Sequence, residues 1–364
     1  MRKYHQPDLV LLGAILALLG IGFIMVYSSS AVRGFIQFDD PYHYLKMEIM
    51  WATMGLVAMF LSMRIDLHWL RKFAKPALFV AIALLIAVKI PGIGRKVNGA
   101  DRWIGLGPMS IQPSEVIKLS MILIMSHILA LNPHMIVSFR KGVLPILTLL
   151  GLIAGLIMLQ PDLGTTLVVA GTTFFMLIAA GARVSHILAL AGTGLGLVVA
   201  AIAAAPYRMQ RIFAFLDPWA DPLGNGYQTI QALLALGPGG LFGLGLGQSR
   251  QKFLYLPENH TDFIFAMIGE ELGFIGATLI ILLFFLFAWR GFRVAMRAPD
   301  AFAGFMAVGL TAMVSIQAMI NMGVVSGVLP VTGITLPFIS YGGTSLVFTM
   351  IGVGLLLNIS REAR

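Results

Sequence analysis

Four carboxylates stand at the mouth of a long apolar run: Glu258, Asp262, Glu270 and Glu271 in LPENHTDFIFAMIGEELGFIGATLIILLFFLFA, residues 256–288. A carboxylate at such a boundary can take a proton from a hydroxyl, complement a helix N-terminus or pair with a buried donor. From Leu272 to Trp289 no residue is charged, a length that at about 1.5 Å per residue crosses most of a bilayer's hydrocarbon layer. Glu270 and Glu271 then lie near the outer interface, and Asp262 stands about 12 to 14 Å above them if the helix is continuous. Asp262, Ala266, Gly269, Gly273 and Gly276 follow a 4-3-4-3 spacing, a small-residue stripe of the kind that packs on neighbouring helices, so Asp262 faces protein. Taken alone, it is either a helix N-terminal carboxylate or a base. Glu258 reads as a solvated loop charge. Glu270 and Glu271 point about 100° apart, so at least one needs a buried donor, and their expected role is structural pairing.

Three further clusters surround this one in chemistry. In NGADRWIGLGPMSIQPSEVIKLS, residues 98–120, Pro113 suits a first helical turn and Glu115 complements its dipole. Lys118, three residues on, shares its face. The pair is either a helix-to-helix ion pair or part of a binding site. Trp103 is an interface anchor, whereas Arg102 can fork onto a phosphate. QPDLGTT puts Asp162 at another helix end. NMGVVSGVLPVTGITLPFISYGGTS, residues 321–345, offers hydroxyls such as Ser340 and Thr344 on an apolar loop suited to a lipid-linked substrate. Arg208, Arg211, Arg250 and Lys252 add cations between residues 206 and 261.

One carboxylate on a rigid helix amid several cations suits a sugar carried on a polyprenyl pyrophosphate. Such a substrate needs an apolar groove, cations for the leaving pyrophosphate and a base for the attacking hydroxyl. A divalent cation (Mg or Mn) bridging the pyrophosphate is compatible with this chemistry; no organic cofactor is expected.

The elements that must position these groups are membrane helices. Only 11% of the 364 residues are charged, 58% are hydrophobic, and the mean hydropathy is +0.90. Apolar windows run roughly over 8–28, 47–63, 74–90, 113–131, 143–159, 163–181, 186–205, 264–289, 302–322 and 344–360, which predicts about ten spans in an all-α integral membrane protein. The first is too long for a signal peptide and is expected to stay as an anchor. With an even span number the termini share a side, and segments on that side, including Arg2, Lys3 and Arg364, hold 14 of the 25 Lys and Arg against four of the 16 acids. This asymmetry puts both termini in the cytoplasm. The net charge of +9 thus follows topology and calls for no nucleic acid.

The expected external connections are 29–46, 91–112, 206–261 and 323–343, and function is expected there. No repeat or linker divides the chain, so residues 1–364 read as one polytopic domain with its large external loop at about 206–261. Within that loop Tyr227–Leu236 predicts a short helix, broken by six glycines from Gly237 to Gly247, in a loop that dips partly into the membrane. GLGLGQS has neither a preceding strand nor a following Lys-Ser/Thr pair, which disfavours nucleotide binding. The absence of cysteine excludes disulfides and thiolate metal sites.

Together with MVYSSSA and DPLGNGYQTIQALLALGPGGLFGLGLGQSRQKFLYLPENHTDF, these motifs resemble the SEDS family (shape, elongation, division and sporulation) from Pro7 to Ser360, in its FtsW and SpoVE-like branch with RodA as a close relative. The resemblance implies a ten-helix peptidoglycan glycosyltransferase that polymerises lipid II outside the cytoplasmic membrane, partnered by a class B penicillin-binding protein and other division or elongation proteins. It implies that Asp262, the Asp of HTDF, is catalytic. Glu115, Lys118 and Arg102 match the family's functional positions. Thr335 before Leu-Pro reads closer to FtsW and SpoVE than to RodA. The division septum is the expected location, with division and sporulation both open. The short tails lack the longer cytoplasmic extensions of many division members. The alternatives are a lipid II flippase and a non-catalytic scaffold for a transpeptidase. A flippase needs a polar path open to both faces, whereas the intramembrane charges lie toward the external ends.

Overall fold

The computed structural model describes residues 6–97, 100–106, 109–131 and 133–363. Arg2, Lys3 and Arg364 of the charge count, and Asn98, Gly99, Gly107 and Pro108 of the second cluster, lie outside the described residues. The chain opens with α1 (Leu9–Phe38), α2 (His43–Ser62), α3 (Leu67–Lys72) and α4 (Ala74–Ala87). An antiparallel sheet follows, β1 (Gly94–Val97), β2 (Ala100–Leu106) and β3 (Met109–Ile111), in the order β1-β2-β3. Then come α5 (Pro113–Leu131), α6 (Leu144–Met158, entered through a π-helical turn at Phe139–Val143), α7 (Leu163–Ala179), α8 (Val184–Ala203), α9 (Pro206–Leu216), α10 (Tyr227–Gly239), α11 (Ile264–Met296), α12 (Ala301–Val325) and α13 (Thr344–Glu362).

Among the described residues eight helices are long and apolar enough to cross a membrane. The shorter apolar helices α4 and α7 fall in the two remaining apolar windows. The all-α expectation holds, with one small sheet added. The helix ends follow sequence signals. Asp8 caps α1 by accepting from the Val10 and Leu11 N–H groups at 3.1 and 3.0 Å. Its other oxygen takes Arg290 at 2.6 Å, tying the start of α1 to the far end of α11. Pro113 opens α5, Asp162 caps α7 and Asp300 caps α12. The interior is built from α2 against α13, α12 against α5, α7 and α11, and α1 against α2 and α11. α8 buries none of its residues and lies at the edge.

Several connections differ from the sequence reading. Residues 29–38 continue α1, which ends only at Asp39, whose left-handed φ of 54° closes the helix with its N–H on the Phe35 carbonyl. Residues 323–325 likewise belong to α12. The 91–112 connection folds into the sheet, with Arg95 opposite Trp103 and Ile104 opposite Ile111. Its Gly-rich, charged sequence carries no strand alternation, because much of each strand's order comes from ladder hydrogen bonds. The large loop contains α9 besides α10, and α10 runs on to Gly239.

The most consequential difference lies in α11. The helix is not continuous from Asp262: it starts at Ile264 and kinks at Gly273, with φ 66° and ψ −163°. The glycine loop that follows α10 crosses at this point, and a Cβ on Gly273 would strike the backbone of Leu241 and Gly243. The crossing segment repairs the interrupted helix. Leu244 and Gly245 N–H donate to the Glu270 and Glu271 carbonyls at 2.9 and 3.0 Å, while Phe274 and Ile275 N–H donate to Gly240 and Leu241 at 2.9 and 3.2 Å. The stripe of small residues is therefore split: Gly273 meets the crossing loop, whereas Gly269 packs on Leu236 of α10.

Glu270 and Glu271 are 1% and 0% exposed, and both find buried donors as the sequence required. Glu270 accepts from the Ser249 hydroxyl and from the Arg250 N–H at 2.8 Å. Glu271 accepts from the Ser28 hydroxyl at 2.6 Å and the Ser249 N–H at 3.3 Å. The two carboxylates thereby clamp α1 and the loop at 249–250 onto α11. Glu271→Ala would leave two buried donors without an acceptor, each at a cost of about 1–3 kcal/mol. We expect the thermal midpoint in detergent to drop for Glu270→Ala and Glu271→Ala, and to drop less for Glu271→Gln, which keeps an acceptor oxygen. Unchanged midpoints by intrinsic fluorescence would mean that the clamp does not hold the fold.

Candidate active site

Asp262 sits in the turn that leads into α11. The turn is made by Glu258, whose φ of 54° and carbonyl, bonded to the Phe263 N–H at 3.2 Å, reverse the chain. The Glu258 carboxylate accepts from the Thr261 hydroxyl at 2.9 Å, so it is a half-buried turn-former rather than a solvated charge.

Three successive carbonyls of this segment are each held by another element. His260 O accepts from the Tyr341 N–H at 2.9 Å, Thr261 O from the Ser340 hydroxyl at 2.6 Å, and Asp262 O from the Asn321 amide at 2.7 Å. The same Asn321 amide holds Ile334 O at 2.6 Å, and Ser340 accepts from Leu336 N–H at 2.8 Å. The segment is thus bolted to α12 and to the loop before α13 through its backbone. Among the described residues none donates a hydrogen bond to the Asp262 carboxylate. Gly333, at φ 73°, passes so close that a side chain there would begin 3.5 Å from Asp262 Oδ2.

The charges around Asp262 are mixed. Burial pushes its carboxyl up from 3.8 to about 7, Glu258 and Asp162 push the same way, and Arg102 and Arg211 oppose them. His260, buried at 3% exposure, is driven down to about 3 by burial and by Arg33, so it stands as a neutral ring. Asp262 combines an unengaged side chain with an immobilised backbone.

The other predicted residues divide. Arg102, on β2, is brought to Asp262 and is fixed by bonds to the Gln160 and Pro161 carbonyls at 2.9 and 2.6 Å. Asp162 is also near, but its oxygens accept from the Thr165 N–H and hydroxyl at 2.9 and 2.8 Å, so it caps α7. Lys118 pairs with Glu115 at 2.8 Å and donates to Gln317 Oε1 at 2.9 Å, while the Gln317 amide donates to Thr335 O at 3.1 Å. This buried chain reaches the loop that carries Gly333. Ser340 positions the Asp262 segment, whereas Thr344 begins α13 with a buried hydroxyl. Arg208 folds back onto Tyr207 and the Ala201 carbonyl, and Lys252 onto the Gly247 carbonyl. Arg250 is anchored to Glu270 by its backbone, with an exposed side chain.

Arg211 joins the site instead, donating to Val331 O at 3.2 Å. Asn321, Gln317 and Glu48 escape a reading that weighs ends of spans over their interiors. Glu48, 1% exposed on α2, faces the Gly342 N–H. Their signal is a lone polar side chain inside an apolar window. For a metal, no group of three or more His, Asp or Glu among the described residues could hold one. An Mg-type ion fits only if substrate phosphates and water supply most of its oxygens, with Asp262 as the free protein carboxylate.

Residues 9–364 match the family model for FtsW, RodA and SpoVE, described as cell cycle protein. The chain is 51% identical over 362 residues to Stage V sporulation protein E of Bacillus subtilis (strain 168), covering 100% of this chain and 99% of that one. It is 46% identical over 358 residues to the "Probable peptidoglycan glycosyltransferase FtsW" of Trichlorobacter lovleyi, covering 98% and 94%. In structure it is similar to a chain solved in a peptidoglycan synthase complex that coordinates polymerization and crosslinking, with a TM-score of 0.80, 31% identity and 98% of each chain covered. It is also similar to the rod shape determining protein RodA of Thermus thermophilus, with a TM-score of 0.73, 30% identity, and 98% and 97% covered.

The raised carboxyl of Asp262 has a consequence for stability. A free Asp loses its proton near 3.8 and the folded one near 7, so the folded state binds the proton more tightly. Its contribution is complete below pH about 4 and is lost as the pH rises through about 7. Asp262→Asn, always neutral, should remove that loss. Melting of both proteins between pH 5 and 8 checks this, and parallel curves would refute it.

Proposed function

The chain belongs to the FtsW, RodA and SpoVE family of cell cycle proteins, and from that premise we propose that it is a peptidoglycan glycosyltransferase that polymerises lipid II. The observation that carries the reading is the Asp262 carboxylate, unengaged and held through its backbone, with Arg102 and Arg211 beside it. A sugar hydroxyl of one substrate attacks the anomeric carbon of the other. Asp262 takes the hydroxyl proton as the new C–O bond forms, and the bond from that carbon to the pyrophosphate breaks. The pyrophosphate leaves on its lipid, its charge met by Arg102 and Arg211. A weakly basic leaving group needs no general acid, so a site with one free carboxylate suffices. A divalent cation, where present, adds positive charge at the pyrophosphate.

The setting of this reaction is the cytoplasmic membrane, crossed ten times, with both termini cytoplasmic and Asp262 on the outer side. Lys and Arg asymmetry supports the orientation, and two apolar helices added to the eight long ones support the count. Residues 1–364 act as one membrane domain. The partner is a class B penicillin-binding protein that crosslinks the strands, at the septum in division or sporulation. The similarity to a chain of a peptidoglycan synthase complex and to Stage V sporulation protein E supports this.

The deciding experiment incubates purified protein with lipid II, with and without a class B transpeptidase, and scores glycan polymer. Polymer is expected; transfer of intact lipid II across vesicles without polymer would favour a flippase, and neither activity a scaffold. Asp262→Asn should stay folded and partner-bound while losing about 10²–10⁴ in rate. The wild-type rate should rise with pH through about 7 as Asp262 ionises. Arg102→Lys, which keeps the charge but loses the fork, should also slow turnover. Wild-type rates in Asp262→Asn would end the base assignment.

A further inference from the structure

Five aromatic rings form one continuous strip that ends beside the Asp262 segment. Phe38, at the end of α1, stacks on His43 with ring centres 3.8 Å apart and planes at 8°. His43 meets Tyr44 edge to face at 5.5 Å. Tyr44 in turn lies 4.6 Å from His260 and 5.3 Å from Tyr341, and His260 lies 5.7 Å from Tyr341. The outer end is open, with Phe38 50% exposed, and the inner end is the buried His260, two residues before Asp262. Polar groups edge the strip: Gln37, which accepts from Tyr44 OH at 2.8 Å, and the Lys46–Asp40 pair at 2.7 Å.

From this geometry we infer that the strip is a saccharide-binding track that holds the glycan strand at the active site, an inference that rests on the polymerase reading. The faces of aromatic rings are electron-rich, and the C–H faces of a pyranose carry the complementary partial charge, while the polar ring edges and Gln37 meet hydroxyl and acetamido groups. Rings of an interface belt sit at the headgroup level. These rings pack on one another and converge on the loop of the candidate base. Burial and Arg33 both keep His260 neutral, so it is a stacking partner and not a cation.

The strand is favoured over the lipid-linked donor by the placement of charge. Arg102 and Arg211 act on Asp262, whereas the charged group acting on His260 is Arg33. Arg102 and Arg211 thus give Asp262 cationic neighbours suited to a pyrophosphate, and the strip that ends at His260 gives aromatic surface suited to a sugar. A polymerase that keeps its product on such a track adds many units before release. Weakening the track therefore shortens strands without slowing the chemical step.

The test uses the full-length protein in detergent, as wild type and as the double variant Phe38→Ala/His43→Ala, both changed residues lying at the open end of the strip and outside the catalytic machinery. Lipid II consumption and strand length are measured together. Consumption within about twofold of wild type and strands at least several-fold shorter are expected. In parallel, saturation-transfer NMR with a soluble β-1,4-linked N-acetylglucosamine tetramer should show contact in the wild type that the variant loses. Unchanged strand length with unchanged tetramer contact overturns the inference. So does a raised lipid II requirement at unchanged length, which assigns the rings to the donor, and so does a lowered melting midpoint with neither change, which leaves them an interface belt. Wild-type protein that makes no polymer would refute the polymerase reading instead, while the tetramer arm still decides whether the strip binds sugar.

Discussion

A carboxylate that is to receive a proton must keep its oxygens unengaged, so it cannot also anchor its own segment. In this protein the burden passes to the main chain. The carbonyls of His260, Thr261 and Asp262 are held by Tyr341, Ser340 and Asn321, leaving the Asp262 side chain aside. Two of those donors lie on the loop before α13, which must itself be rigid. Its Phe338 adopts a left-handed φ of 65°, unusual for a bulky residue, and is buried against Phe284 and Phe287 of α11. Its carbonyl lies against α1 at Gly22, where a Cβ would come within 2.6 Å. The position of one carboxylate therefore depends on close packing of α1, α11 and α12.

Four other buried acids show the contrast. Glu270 and Glu271 spend their oxygens on Ser28, Ser249 and Arg250, Asp162 on Thr165, and Glu115 on Lys118. Each is satisfied, and each stabilises a junction between elements. A satisfied acid is a poor base, because every hydrogen bond to the charged form makes it a weaker proton acceptor. Asp262 has the opposite surroundings: burial and two neighbouring acids raise its proton affinity, and two arginines keep the shift moderate.

What was legible in the sequence follows from what each feature depends on. The apolar helices were legible because a run of apolar residues is a local property: eight windows fall on helices long enough to cross a membrane and two on the shorter helices α4 and α7. Caps at Asp8, Asp162 and Asp300 were within reach for the same reason. The Gly273 kink was not, since helix period and small-residue spacing look alike whether the stripe meets a helix or a crossing loop. The sheet around Arg102 was hidden because its order comes from pairing. Among the cations, charge alone could not separate Arg102 and Arg211, whose charges act on Asp262, from Arg208, which folds back to α8. Asn321 and Gln317 were the costliest omission, because the carbonyls that their amides hold leave no mark in composition.

The Lys118 chain shows how the helix bundle can govern the loop beside Asp262. A glutamine amide is nearly symmetric in shape, and Gln317 on its own could present either its oxygen or its nitrogen to the Thr335 carbonyl. The Lys118 ammonium can only donate, so it takes the Gln317 oxygen and turns the NH₂ toward Thr335. Glu115, in turn, holds the ammonium and balances its charge at a depth where an unpaired ion would cost several kcal/mol. Hydrogen-bond polarity thus runs from a buried ion pair on α5, through α12, into the backbone of the 333–336 loop. Two residues from Thr335, Gly333 lies against Asp262. An ion pair joined to the loop through Gln317 can in this way determine how closely the loop approaches the base.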